Sequence, residues 1–133
     1  MLVRYLITIA LFAHGVGHLL FLANSLGYWK GGEEARSWLF SGMLGAGQAV
    51  EGILGVLWFI PLIGFVAVSW GYLIHQGWWP QLALASSAVS LAMIILWWGS
   101  LVAGSAFFAL VFDLAVIVVV LLQVRSGAGL SAR

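Results

Sequence analysis

Four side chains of a very apolar sequence could do acid-base chemistry together: His14, His18, Glu51 and Asp113. His14 and His18 are four residues apart, so on a helix they lie one turn apart on the same face. Gln48 precedes Glu51 by three residues and would share its helix face. Imidazole exchanges protons near neutral pH, and a positioned carboxylate can accept or relay them. These residue types therefore predict a site that binds a hydrogen-bonding ligand or acts as a proton relay.

A metal or a haem is the alternative use of the histidines. Two histidines one turn apart with a carboxylate, here His14, His18 and Glu51, are legitimate zinc or iron ligands, although the spacing alone is weak evidence. Haem is not expected, because its two axial ligands must come from opposite sides at one depth, and His14 and His18 share a face. The remaining histidine, His75, falls at the cytoplasmic end of the second span, at a different depth from His14. The chain has no cysteine, which excludes thiolate metal sites, CxxC redox chemistry and covalent haem attachment.

The elements that must position these residues are membrane spans. The chain is 64% hydrophobic and 7% charged, with a mean hydropathy of +1.14, whereas soluble domains are about 45–50% apolar and about 25% charged. A span needs about 20 apolar residues, so four spans nearly fill the 133 residues and leave room for one domain. The net charge of +1, with scattered basic residues, argues against a nucleic-acid partner.

We predict an all-α, polytopic membrane protein whose single integral membrane domain, residues 1–133, is a four-transmembrane-helix bundle. A polar outer loop at 28–36 and a cytoplasmic tail at 125–133 flank the spans, which cover about residues 2–23, 48–74, 81–98 and 105–124. Ser37 can cap a short lead-in or re-entrant helix before the second span. Pro61 lacks an amide hydrogen, so it should open the backbone hydrogen bonds around Leu57 and bend that span.

An even number of spans places both termini on one side of the membrane. That side carries Arg4, Arg125 and Arg133, and the other side carries Lys30 and Arg36. Cytoplasmic loops carry an excess of Lys and Arg, so we expect both termini in the cytoplasm.

Depth in the bilayer predicts which polar residues meet. His14 and Asp113 fall near the middle of the first and fourth spans, and His18 lies about 6 Å nearer the outer side. An ionisable side chain inside a span costs at least about 2.5–3.5 kcal/mol, so it should find a partner. We expect His14 within hydrogen-bonding or single-water distance of Asp113, with His18 and then Glu51 continuing the polar track outward. The same contacts could instead be structural links between helices, and the sequence leaves both readings open.

Short motifs along most of the chain resemble a known family. They are Arg4 opening the first span, His14-Gly15, Glu51-Gly52 followed by Gly55, and the tail Gly127-Ala128-Gly129-Leu130-Ser131. Together they are similar to the DoxX-like four-helix membrane proteins of bacteria and archaea. The resemblance implies a four-helix bundle in a prokaryotic cytoplasmic (inner) membrane and an accessory role in quinone-linked or thiol-linked redox complexes. It also implies that His14 and Glu51 are the family's polar positions.

Three functions stay open at this stage. The chain could be a small membrane subunit that binds a quinone-like or other small hydrophobic ligand in a redox-linked complex, with a redox partner protein. It could be a small-molecule or ion transporter, which would require a homo-oligomer because four spans are few for an alternating-access monomer. It could also be a non-catalytic assembly or scaffold protein of the bilayer, in which the polar cluster only joins helices.

Overall fold

The computed structural model describes residues 1–28, 36–45, 47–98 and 103–126, except for the side chains of Gln48 and Ala103. All regular structure in these ranges is helical. The elements are α1 (Leu2–Ser25), a six-residue π-helical lead-in helix (Trp38–Met43), α2 (Gln48–Gly55), a 3₁₀ turn (Val56–Trp58), α3 (Phe59–Leu73), α4 (Trp79–Leu96) and α5 (Ala103–Arg125). The outer loop predicted at 28–36 is described only at Tyr28 and Arg36, and the predicted tail only as far as Ser126.

Four helical segments are long and apolar enough to cross a membrane. They are Leu2–Ser25, Ala49–Leu73, Trp79–Leu96 and Gly104–Arg125, with hydropathies between 1.6 and 2.8. The all-α, four-span prediction is therefore confirmed, and the chain is a multi-pass membrane protein. The third span begins two residues earlier than predicted, because Pro80 occupies the first turn of α4. A proline is tolerated there, since the amide that it lacks would have no partner within the helix.

The second span consists of α2 and α3 joined by the 3₁₀ turn Val56–Trp58. This change in the hydrogen-bond ladder includes Leu57 and lies just before Pro61, so the ladder tightens to a 3₁₀ turn where an opening was expected; the bend of the span stays a prediction. A proline removes a donor and crowds the carbonyl four residues earlier, which accounts for the local tightening. Trp58 ends this turn, and its side chain is fully buried.

The lead-in helix begins at the residue expected to cap it. The Ser37 side chain accepts hydrogen bonds from the amides of Leu39 and Phe40, both at 3.3 Å. Ser37 is itself buried, so the lead-in helix starts inside the protein. It precedes the second span, as the sequence predicted.

Consecutive spans pack side by side, and the ring that they form is open. The closely packed pairs are α1 with α3, α3 with α4, and α4 with α5. Within the described residues, α1 and α5 are not among the closely packed pairs. Gly15 allows a close approach between α1 and α3, because a Cβ there would lie 2.9 Å from Phe65 Cβ and 3.1 Å from the Val66 amide nitrogen. A seam is left between the first and last helices.

The core consists of two apolar clusters with polar residues between them. Leu22, Trp58 and Ala109 belong to the first cluster, and Leu11, Phe65, Val68, Ala83 and Val120 form the buried part of the second. Along α1, α4 and α5 the buried polar residues fall between members of the two clusters; they are His18, Ser86, Ser87, Ser90 and Asp113. A polar layer therefore lies near the middle of the spans, between two apolar layers.

Candidate functional site

The centre of the polar layer is a contact between the first and last helices. His14 Nε2 lies 2.9 Å from Asp113 Oδ1. The Asp113 side chain is fully buried, and the His14 side chain is 9% exposed. His14 lies midway along α1 and Asp113 midway along α5. The predicted meeting of these two residues is confirmed, and it follows from their equal depth.

A serine on α4 extends this contact into a four-residue network. Ser90 Oγ donates to Asp113 Oδ2 at 2.5 Å and lies 3.3 Å from His18 Nε2. The network, defined as His14, Asp113, Ser90 and His18, therefore joins α1, α5 and α4. Sequence analysis missed Ser90, because a serine in an apolar span is usually a packing residue. Its position near the middle of α4, at the depth of His14 and Asp113, was the signal that could have found it.

Aromatic rings surround both histidines and fix their orientation. His14 stacks on Phe112 with ring centroids 4.2 Å apart and meets the edge of Phe65 at 4.6 Å. His18 stacks on Trp58 at 5.6 Å and on Phe65 at 6.0 Å. The two imidazoles are 4.9 Å apart, edge to face. Apolar walls of this kind exclude bulk water and strengthen the hydrogen bonds between the polar groups.

The open seam between α1 and α5 forms a cleft of about 660 Å³. Both histidines line it, together with Ala10, Ala13, Gly17, Leu20, Phe21, Asn24, Ser105, Phe108, Ala109 and Phe112. Its lining on α1 extends from Ala10 to Asn24, about 21 Å at 1.5 Å per helical residue. Leu20 and Phe108 at its rim are 51% and 75% exposed. Because the outer surface of a transmembrane bundle faces lipid, the cleft opens sideways into the bilayer.

Glu51 does not join the network, and the predicted continuation of the polar track is corrected here. Its Oε1 accepts hydrogen bonds from the Ser37 amide at 3.0 Å and the Ser41 hydroxyl at 2.6 Å. The residue is 3% exposed, and its other oxygen, Oε2, has no hydrogen-bond partner among the described atoms. Glu51 lies seven residues, or about 10 Å, before Trp58, the ring that touches His18. The lead-in helix folds back to meet it and supplies its donors.

The structure does not bring the three candidate metal ligands, His14, His18 and Glu51, together in one site. Glu51 is engaged with the lead-in helix, so it does not share a site with His14 and His18. Across the described residues, no group of three or more His, Cys, Asp or Glu side chains could hold a metal ion. Gln48, the other predicted member, lies outside the described side chains. His75, at the end of α3, is exposed and has a positive φ of 57°, far along the span from the network.

Comparison of the chain with protein-family models, curated proteins and solved structures finds no match. What the site can do must therefore be read from its own chemistry. A buried carboxylate bound to a histidine and a hydroxyl can hold or exchange protons. An apolar cleft beside it can hold a small hydrophobic molecule with a few polar atoms.

Proposed function

We propose that this protein binds a small, quinone-like hydrophobic ligand in the cleft between α1 and α5 and acts as the membrane subunit of a redox-linked complex. One observation carries the proposal. His14 and His18 line an apolar cleft of about 660 Å³ and are joined to each other through the buried Asp113 carboxylate and the Ser90 hydroxyl. Small-molecule sites are typically about 300–1,000 Å³, mostly apolar, with a few convergent polar groups.

A quinone matches both the apolar cleft and the polar groups that line it. Its planar ring and apolar tail match the cleft, which Leu20, Phe21 and Phe108 line. Its oxygens can exchange hydrogen bonds with the imidazoles that line the cleft. The lateral opening gives a membrane-dissolved molecule direct access without passage through water.

Electrons must come from outside the chain. Reduction of a quinone to a quinol takes two electrons and two protons, and the chain has no cysteine for thiol redox chemistry. A partner protein would therefore deliver the electrons, and the network would handle the protons. The motifs around His14 and Glu51 that resemble DoxX-like proteins support this accessory role.

The proposed orientation has both termini on the cytoplasmic side of a prokaryotic inner membrane. It rests on the even number of spans and on Arg4, Arg125 and Arg133 at one side against Lys30 and Arg36 at the other. Reporter fusions to each terminus test it. Cytoplasmic-active reporters at both ends are expected, and a reporter active only in the periplasm would contradict the orientation.

The ligand can be tested by purification in native lipid and extraction of bound quinones for mass spectrometry. Gly17→Leu should empty the cleft of ligand, because the Cβ position of Gly17 faces open space within the cleft lining. Gly52→Leu is the matched control, since its Cβ position is equally open but does not line the cleft. We expect quinone to remain with the wild type and Gly52→Leu and to be lost from Gly17→Leu.

Two other outcomes would contradict the proposal. If the wild type neither carries quinone nor binds an added short-chain quinone, the ligand class is wrong. If purified protein instead conducts ions or solutes across liposomes, and Asp113 substitutions stop that flux, the site belongs to a transporter.

A further inference from the structure

The imidazole of His14 lies between the cleft and the buried carboxylate of Asp113. Among the described residues, the lining of the cleft includes His14 but not Asp113. The His14 side chain is 9% exposed, whereas the Asp113 side chain is fully buried. One ring nitrogen of His14, Nε2, lies 2.9 Å from Asp113 Oδ1. Asp113 can therefore act on a ligand in the cleft through the imidazole of His14.

The hydrogen bonds of Asp113 determine which nitrogen of His14 carries the hydrogen. A carboxylate only accepts hydrogen bonds, so Oδ1 takes one from His14 Nε2 and Oδ2 takes one from the Ser90 hydroxyl. A buried carboxylate needs such donors, and here each oxygen has one. An uncharged imidazole carries a single N–H. With that hydrogen on Nε2, the other ring nitrogen of His14, Nδ1, is a hydrogen-bond acceptor.

The Nδ1 atom of His14 is accessible, in contrast to that of His18. Within the described residues, His14 makes its hydrogen bond through Nε2. The side-chain atoms that are buried there without a hydrogen-bond partner include His18 Nδ1 but not His14 Nδ1. His14 Nδ1 is therefore not closed off, and the cleft is the cavity that His14 lines. His18 is only 1% exposed, so His14 is the histidine of the network that offers a ring nitrogen to a ligand.

We infer that Asp113 fixes the tautomer of His14, and that His14 Nδ1 accepts a hydrogen bond from a hydroxyl of the ligand. This inference rests on the proposed function and narrows the ligand to a quinol or a phenol with an apolar tail. A quinone oxygen only accepts hydrogen bonds, so an oxidised quinone forms none with Nδ1. His14 thus determines the specificity of the site, Asp113 is its positioning residue, and the reduced form binds more tightly.

Two ligands that undergo no redox reaction test the preference for a hydroxyl. Dodecylphenol and its methyl ether share the same apolar body, and only the phenol donates a hydrogen bond. In nanodiscs, the phenol should bind the wild type about tenfold more tightly, since one hydrogen bond in such a site is worth about that factor. Equal affinities would overturn the inference and leave the proposed function standing. Failure of both compounds and of a short-chain quinone to bind would contradict the proposed function itself.

Two variants assign the preference to one histidine. His14→Lys can still donate to Asp113, but an ammonium group has no acceptor, so the tenfold preference for the phenol should be lost. His18→Gln alters the lining of the cleft and should weaken binding of both compounds by the same factor, because the Nδ1 atom that it removes is closed off. The preference should therefore persist in His18→Gln. Persistence in His14→Lys, or loss in His18→Gln alone, would overturn the assignment to His14.

Nuclear magnetic resonance tests the tautomer directly and keeps the inference falsifiable if a variant fails to fold. In wild-type protein labelled with nitrogen-15 histidine, His14 should be protonated at Nε2 and unprotonated at Nδ1, and the Nδ1 signal should shift on addition of dodecylphenol. Asp113→Asn should raise the share of His14 that is protonated at Nδ1, because an amide can donate to Nε2. A protonated Nδ1 in the free wild type, or an unchanged tautomer in Asp113→Asn, would overturn the inference.

Discussion

The His14 imidazole and the Asp113 carboxylate meet at 2.9 Å across α1 and α5, two helices that are not closely packed against each other. This hydrogen bond and the stacking of His14 on Phe112 thus close the ring of spans at mid-height, although the two helices are not closely packed. The two side chains reach across the gap between the helices, so the backbones need not approach closely and the cleft beside the contact stays open. The same pair therefore contributes both to the fold and to the site.

Asp113→Asn and Asp113→Ala should separate the structural role of the carboxylate from its proton chemistry. The alanine variant leaves His14 and Ser90 without their acceptor, at about 1–3 kcal/mol for each unsatisfied buried group. The asparagine variant retains hydrogen bonding and should lose less stability in thermal unfolding. It cannot titrate, so proton-coupled turnover with the redox partner should fall although the protein is folded. Wild-type turnover in Asp113→Asn would show that the network is only structural.

Ser90→Ala and Ser87→Ala should differ in their effect on stability although both serines are fully buried on α4. Ser90 links His18 to Asp113, so its loss leaves polar atoms unpaired and should cost about 1–3 kcal/mol. Ser87 Oγ has no hydrogen-bond partner among the described atoms, so its removal should be neutral or stabilising. Unfolding in one detergent measures both, and equal losses would contradict the network.

Gly15→Ala should destabilise the contact between α1 and α3. The new Cβ would lie 2.9 Å from Phe65 Cβ and 3.2 Å from the Leu62 carbonyl oxygen, and backbone atoms cannot move aside cheaply. Overpacking of this kind costs about 1–3 kcal/mol. Gly17→Ala, on the same helix, meets nothing within 4 Å and should be neutral or stabilising, because alanine favours helix. A stable Gly15→Ala variant would contradict the close packing.

Glu51→Ala should release the lead-in helix from α2. The change removes the acceptor of the Ser37 amide and the Ser41 hydroxyl, and leaving the buried amide unpaired costs about 1–3 kcal/mol. Hydrogen exchange in residues 38–43 should rise. Glu51→Gln keeps an oxygen acceptor and should raise exchange much less. If both variants exchange equally fast, the charge rather than the hydrogen bonds holds the segment.

Hydropathy alone predicted the four spans, because each has to cover the bilayer with apolar residues. Depth alone predicted that His14 meets Asp113, since two mid-span polar groups have few other partners. Hydropathy does not say which face of an apolar helix meets a neighbour, so the open seam between α1 and α5 could not be seen in advance.

The surroundings of Glu51 and Ser90 depend on contacts with other helices, which no local sequence pattern predicts. Glu51 was expected to continue the polar track outward from His18, but the lead-in helix folds back and places the Ser37 amide against it. In the sequence, Ser90 resembles any small residue of a span, and only the packing of α4 places it against Asp113. In both cases the partner comes from a different helix.

Because the cleft opens into the bilayer, its occupancy by ligand depends on the concentration of ligand in the membrane. A molecule that enters between Leu20 and Phe108 arrives by two-dimensional diffusion within the leaflet, so its mole fraction among lipids replaces its aqueous concentration. Acyl chains of neighbouring lipids compete for the same space. Occupancy should therefore fall as the protein is diluted with lipid or detergent at a fixed amount of ligand, even though the aqueous volume is unchanged.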